Sequence, residues 1–180
     1  MRTITVVDYD PSWPAAFERL RTRIWPAVAD LATAIEHVGS TSVPGLAAKP
    51  VIDLDVVLGS GDHVPEAVAR LATLGYAHRG DLGIAGREAF EPPPGVPEHH
   101  LYVCPPDSPA LANHLALRDH LRGDPQLAAA YGALKQRLAR AYAHDIDGYV
   151  DGKTAFIVAV LRRAGFAEDA LGRIERANRR

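Results

Sequence analysis

Cysteine is almost missing from this chain: Cys104 is the only one in 180 residues. No intrachain disulfide can form, and zinc sites of the Cys₄ or Cys₂His₂ type are excluded. A reducing, cytoplasmic compartment fits that usage. Long apolar runs are missing as well. The longest, Ala155 to Leu161, has seven residues, far from the ~20 that a membrane-spanning helix needs. Asp8 interrupts the N-terminal stretch before the apolar core of an export signal could form. Neither export nor a membrane partner is expected. An excess of charge is absent too, since 20 basic and 22 acidic side chains leave a net charge of −2. Such a balance offers polyanions no chain-wide attraction and argues against a general nucleic-acid coat protein, while leaving an RNA end open as an acceptor. Lysine is the scarcest charged residue. Only Lys49, Lys135 and Lys153 stand beside seventeen arginines, so each lysine invites a reason.

What is present is a globular balance of 47% hydrophobic and 23% charged residues. One domain over 1–180 is expected, with a mixed α/β part over 1–104 and a mainly helical part over 105–180. Thr3 to Val7 alternates β-branched residues and predicts a first strand. Phe17, Leu20, Ile24, Val28 and Leu31 recur at spacings of three and four, which predicts a helix that Ser12 or Asp10 can cap. Further strands are expected over Ala34–Val38, Val51–Leu58, Tyr76–His78, Arg87–Phe90 and His99–Cys104, with a helix over Asp62–Leu74. Ser108-Pro109 and Asp124-Pro125 each read as an N-cap followed by proline at the first helical position.

The densest chemistry lies in Glu36-His37-Val38-Gly39-Ser40-Thr41-Ser42, followed eleven residues after Ser42 by Asp53 and then Asp55. Side chains on a strand alternate faces, so these two aspartates share one side while Ile52, Leu54 and Val56 point into the core. Like charges held that close repel unless a cation neutralises them. Hard oxygen donors with open positions suit Mg²⁺, or Mn²⁺, carrying the phosphates of a nucleotide. Gly39 permits close backbone approach, and Ser40, Thr41 and Ser42 offer hydroxyl and N–H groups to phosphate oxygens. An ordinary turn beside a solvated edge strand is the plain alternative. The aspartates sit inside an otherwise continuous apolar run, which favours a site.

The stretch His37-Val38-Gly39-Ser40-Thr41-Ser42-Val43-Pro44-Gly45-Leu46-Ala47-Ala48-Lys49-Pro50-Val51-Ile52-Asp53-Leu54-Asp55 resembles the signature of the GrpB family. So do Tyr9-Asp10-Pro11-Ser12-Trp13, Gly86-Arg87-Glu88-Ala89-Phe90, His99-His100-Leu101-Tyr102, Asn113 to Asp119 and Tyr131 to Lys135. The resemblance places the chain in the nucleotidyltransferase superfamily. It implies an α+β fold: a small mixed β-sheet flanked by helices, with the helical C-terminal half packed on it. It further implies that the Gly39-Ser40 turn binds nucleotide phosphates, and that Asp53 and Asp55 are catalytic and coordinate the metal. Members of the superfamily often carry a third carboxylate on a neighbouring strand. Glu88, Glu91 and Glu98 are candidates, and the His99-His100 pair is an alternative occupant of that region. Where the family often shows His-Leu-His, this chain has His100-Leu101-Tyr102.

Other residues join the candidate site more loosely. His114 and Arg118 fall one turn apart on an expected helix and could contact phosphate or acceptor, or form a mixed-charge surface. Tyr149 and Lys153 share the same spacing and could bring an ammonium to a triphosphate. Lys49 could pair with Asp53 or Asp55, or bind phosphate. Arg87 could hold a triphosphate, or pair with Glu88 or Asp81. Cys104 has no CxxC partner and reads as a buried thiol. The expected function is transfer of a nucleoside monophosphate from a nucleoside triphosphate to an unidentified acceptor. The alternative is a nucleotide-binding or accessory module without catalysis. GrpB-like domains fused to dephospho-coenzyme A kinases make a link to coenzyme A conceivable, although this chain has no kinase P-loop pattern.

Overall fold

A computed structural model describes residues 3–178. Helix α1 covers Trp13–Val28, strand β1 Ala32–Val38 and strand β2 Ile52–Leu58, with a 3₁₀ turn at Ser40–Ser42 between the strands. Helix α2 (Val64–Thr73) follows, then β3 (Ala77–His78), β4 (Glu88–Glu91) and β5 (His99–Cys104). Helices α3 (Pro109–Gly123), α4 (Pro125–Ala141), α5 (Ile146–Arg163) and α6 (Glu168–Asn178) complete the described residues. The five strands form one sheet in the order β1-β2-β5-β4-β3. β2 and β5 run parallel and the other neighbours antiparallel. This is the mixed α+β arrangement expected from the sequence.

The two faces of the sheet have different chemistry because β2 alternates. Ile52, Leu54 and Val56 join Leu101 and Val103 of β5 in a core against Phe17, Leu20, Ile24 and Val28 of α1 and Leu71 of α2. Burying each such aliphatic side chain contributes about 1.5–3 kcal/mol. Asp53 and Asp55 therefore face the other side, where α3 to α5 pack. α3 and α4 start where Ser108 accepts from the Leu111 N–H (3.1 Å) and Asp124 from the Leu127 N–H (2.9 Å). Each cap satisfies a backbone donor that the first helical turn leaves open.

Most element ends lie within two residues of the sequence reading, and two segments differ more. Thr3 to Val7 is no strand: only Val7 makes a bridge, with Ala48, while the Ile4 N–H donates to the Ala143 carbonyl at 2.8 Å. Its backbone is tied to a loop and a helix terminus, so no ladder can grow. α1 ends at Val28 rather than Leu31. Pro26 removes a donor from its last turn, and the Leu31 N–H closes a tighter turn onto the Val28 carbonyl.

Candidate functional site

β2 places its two carboxylates beside two neighbours in strict register. Asp53 lies across from His100 of β5 and Asp55 across from Tyr102. Each aspartate holds an imidazole: His100 Nδ1 is 2.7 Å from Asp53 Oδ1, and His114 Nδ1, from α3, is 2.7 Å from Asp55 Oδ2. The bond to Asp53 raises the pKa of His100 above its ordinary value despite burial. Asp55 is fully buried, and its second oxygen, Oδ1, has no hydrogen-bond partner among the described residues. An uncompensated buried carboxylate oxygen is costly.

The turn after β1 is built against Asp53. Gly39 has φ +68°, and a Cβ there would lie 2.0 Å from Asp53 Oδ2. Only glycine fits both the conformation and the space. The Ser42 hydroxyl donates to the Gly39 carbonyl at 2.6 Å, and the Thr41 hydroxyl is buried between His37 Nε2 (3.0 Å) and the Val51 carbonyl (3.4 Å). Both are spent on holding the turn, which leaves Ser40 as its open hydroxyl group. His37 stacks on Phe17, and burial pushes its pKa down to about 4, so it supports the turn as a neutral ring.

One stripe of α3 fastens this side of the sheet. His114, Arg118 and Arg122 follow at four-residue intervals, which puts them on one helix face. Arg118 Nη1 donates to Glu36 (2.6 Å) and to the His37 carbonyl (3.2 Å), and its Nε donates to Asp119 (2.7 Å). Arg122 donates twice to the Ser42 carbonyl, at 3.0 and 2.8 Å. Arg118 is thus committed to protein partners rather than presented to a ligand.

A cavity of about 460 Å³ opens beside Asp53. Ser40, Thr41, Asp53, Arg87, His100 and Tyr102 line it, together with Lys49, Lys135 and Lys153, which are all the lysines the chain has. None of the three forms an ion pair with a carboxylate among the described residues. Instead the cations rest on tyrosine faces: Lys135 over Tyr131 at 4.6 Å, Lys153 over Tyr149 at 4.5 Å and Arg87 over Tyr102 at 4.4 Å. Burial, with the nearby Lys153 charge, pushes Lys135 down to about 7. Burial and the Lys49 charge push Lys153 down to about 8. Lys135 Nζ and Arg87 Nε are buried without a hydrogen-bond partner among the described residues. Asp53 and Asp147 line the same cavity but form no ion pair with these cations, and such a cluster of unpaired cations makes a receptor for an anion.

Of the residues singled out in the sequence, Ser40, Thr41, Lys49, Asp53, Arg87, His100 and Lys153 line this space, Gly39 lies against Asp53, and Asp55 is buried behind the lining; Lys135 and Arg122 were not singled out. Lys135 carried a signal, since Tyr131/Lys135 repeats the Tyr149/Lys153 spacing. The alternatives for two residues also resolve. Neither Asp53 nor Asp55 pairs with Lys49, and Arg87 pairs with neither Glu88, which holds His78, nor Asp81, which caps Gly83. Among the described residues no third carboxylate groups with the pair, although Asp147 lines the same cavity as Asp53. Glu88 falls on the opposite face of the sheet, across from Val103, and Glu91 is held by Arg79. Glu98 precedes β5 and lines a neighbouring hollow. His99 turns to the core and bonds Tyr76 and the Pro97 carbonyl. His100 and Tyr102 hold the cross-strand positions. Cys104 is buried as expected, and burial pushes its thiol up to about 12.

The GrpB protein family model matches residues 3–163. The chain belongs to the GrpB family. It is 33% identical over 156 residues to the UPF0157 protein YqkA of Bacillus subtilis, covering 87% of this chain and 46% of that protein. It thus spans under half the length of that relative. A dephospho-CoA kinase of Mycolicibacterium paratuberculosis is 29% identical over 195 residues, covering 94% of this chain and 48% of the kinase. The crystal structure of GrpB from Enterococcus faecalis superposes with a TM-score of 0.79 at 34% identity, covering 93% of this chain and 98% of that one. Terminal uridylyl transferase 4 from Trypanosoma brucei, with bound GTP, gives 0.52 at 14% identity over 85% of this chain and 51% of that one. That likeness establishes a nucleotidyltransferase-like fold for this GrpB-family chain, and it speaks for the fold alone. No helix among the described residues is long and apolar enough to cross a membrane.

Proposed function

We propose that this chain binds a nucleoside triphosphate at the Asp53/Asp55 face and transfers its nucleoside monophosphate to an acceptor. The observation that carries the reading is the convergence of all three lysines and Arg87 on the cavity that holds Asp53. Four cations without a carboxylate ion pair among the described residues match the charge of a triphosphate, and the turn at Gly39 leaves room for a close approach beside Asp53.

The residues also fit a divalent cation. Asp55 Oδ1 lacks a partner, and Asp53 Oδ2 is the oxygen that faces the Gly39 cradle. No group of three His, Cys, Asp or Glu side chains that could enclose a metal occurs among the described residues. That suits Mg²⁺, which is commonly held by one or two carboxylates while phosphates and water fill the remaining positions. Bound by Asp53 and Asp55, Mg²⁺ or Mn²⁺ would supply Lewis-acid polarisation of the α-phosphoryl group. The chain's own side chains do the rest. Lys49, Lys153 and Arg87 hold the β- and γ-phosphates, His100 and His114 orient the two carboxylates, and Lys135 adds positive potential as negative charge collects on the leaving pyrophosphate. An acceptor oxygen forms the new bond to the α-phosphorus, the bond to the β-phosphate oxygen breaks, and the acceptor proton passes to water.

A specific observation favours a second reading. His100 and Tyr102 stand across from the aspartates, on the strand where a third carboxylate would lie, so a binding module without turnover, including one linked to coenzyme A metabolism, suits the same cavity. Thermal unfolding with a panel of nucleoside triphosphates and Mg²⁺ tests both. A ligand at 100 times its Kd stabilises by about 2.7 kcal/mol, roughly 5–10 °C for this size. The Mg²⁺-dependent part of the shift is expected in the wild type and not in the Asp53→Asn/Asp55→Asn variant. Pyrophosphate release separates transfer from binding, and no shift with any nucleotide sinks both readings.

A further inference from the structure

The cation-lined cavity does not end at the lysines. It shares Ile84, Ala177 and Asn178 with a second chamber of about 440 Å³. This neighbour is bounded by the Gly83–Ala85 loop, the first turn of α3 and one side of α6, and its walls are mainly apolar, with Ile84, Pro109, Phe166 and Ile174 among them, while Arg173, which donates to Asp169, and Arg176 also line it. Asn113 also lines it, and the Asn113 Oδ1 is buried with no hydrogen-bond partner among the described residues. Asn113 directly precedes His114, which holds Asp55. α6 falls outside the stretch 3–163 that the family model matches.

Two adjoining spaces, one crowded with cations and one mainly apolar, call for a ligand with two ends. The cationic one takes a polyanion. Its neighbour has the size of a small-molecule site, apolar walls and one unpaired amide, the combination that buries a flat ring and fixes its edge. Rotation about the last side-chain bond of Asn113, which is soft for an amide, can turn either of its polar atoms toward the chamber. A nucleobase carries both donors and acceptors on its edge and is joined to the triphosphate by a sugar. We infer that the chamber between α3, α6 and the Gly83–Ala85 loop receives the nucleoside of the triphosphate, with Asn113 hydrogen-bonded to the base or sugar. The inference rests on the proposed function. It adds where the nucleoside binds, and that an element beyond the family-matched stretch forms part of the wall.

Calorimetric titration of the full chain at pH 7.5 with Mg²⁺ tests this, using ATP, CTP, UTP and inorganic tripolyphosphate as ligands. The wild type is expected to bind at least one nucleotide ten times more tightly than tripolyphosphate. Ala85→Trp, which fills the chamber from an exposed loop position, and Asn113→Leu, which removes the amide, should each bring that nucleotide close to the tripolyphosphate value. Tripolyphosphate affinity itself should stay within about twofold. Equal affinities for nucleotide and tripolyphosphate in the wild type overturn the chamber assignment while leaving the triphosphate site intact. A tenfold gap that persists in both variants overturns it as well. Failure of every ligand to bind the wild type removes the proposed function, and the assignment with it.

Discussion

At the scale of single residues, Lys135 is the least expected. It is 2% exposed, its ammonium touches a tyrosine ring and no carboxylate, and the charges of Lys135 and Lys153 act on each other. A fold gains nothing from such a lysine. Its pKa of about 7 in place of 10.5 means that the unfolded chain binds a proton between those values that the folded chain does not. Stability therefore rises with pH from about 7 toward 10.5, and the penalty is fully present below 7. The displacement corresponds to roughly 4–5 kcal/mol, an upper bound. Lys135→Met keeps the length of the side chain without its charge and should raise Tm at pH 7 by about 3 °C or more while weakening tripolyphosphate binding about tenfold. Its advantage in Tm over the wild type should shrink as pH goes from 7 to 9. A variant that is less stable than the wild type, or binds as well, would show that the lysine serves packing. Stability and binding moving in opposite directions is the mark of a group kept for function.

At the scale of elements, α3 decides the geometry of the site. Its stripe of His114, Arg118 and Arg122 reaches Asp55, the end of β1 and the Ser42 carbonyl in turn. Arg118→Leu leaves Glu36 and the His37 carbonyl without their donor, and loss of a hydrogen-bonded, half-buried charge costs about 1.5–3 kcal/mol. Chemical denaturation should register that loss, while tripolyphosphate affinity stays within about twofold because Arg118 does not line the cavity. A tenfold loss of affinity would return Arg118 to the phosphate-binding set. The strands and helices around this stripe were legible because each obeys a local rule: alternation in β2 and β5, three-and-four spacing in α1, an oxygen cap followed by proline in α3 and α4. The Thr3–Val7 segment obeyed the alternation rule too and still failed to become a strand, since a strand needs a partner and none of its own residues specifies one. The role of Arg118 was hidden for the same reason. Its helix position was readable, but its partners lie 81 and 82 residues away.

At the scale of the whole molecule, the sheet divides labour: one face is the apolar core beneath α1 and α2, and the other holds the carboxylates beneath the helical half. Spacing within one strand revealed Asp53 and Asp55, and the small residues of the turn revealed the cradle. The cation cluster was only half legible, because Lys49, Lys135 and Lys153 come from a loop, α4 and α5 and meet only through packing of the helices on the sheet. That division also governs how a metal should bind. The two aspartates already give one oxygen each to an imidazole, and the surrounding lysines repel a cation until an anion arrives. Mg²⁺ and nucleoside triphosphate should therefore each favour the other, as coupled ligands must by reciprocity. Mg²⁺ alone at 10 mM, about the upper end of useful concentrations, should move Tm by less than about 1 °C. A nucleoside triphosphate with chelator should give a modest rise from the cation cavity, and the two together should exceed the sum of the separate shifts by several degrees. In Asp53→Asn/Asp55→Asn that excess should vanish while the metal-free rise persists. A large shift with Mg²⁺ alone would mean that the protein holds the ion without phosphates, and the coupling argued from the paired imidazoles and the lysines would fail.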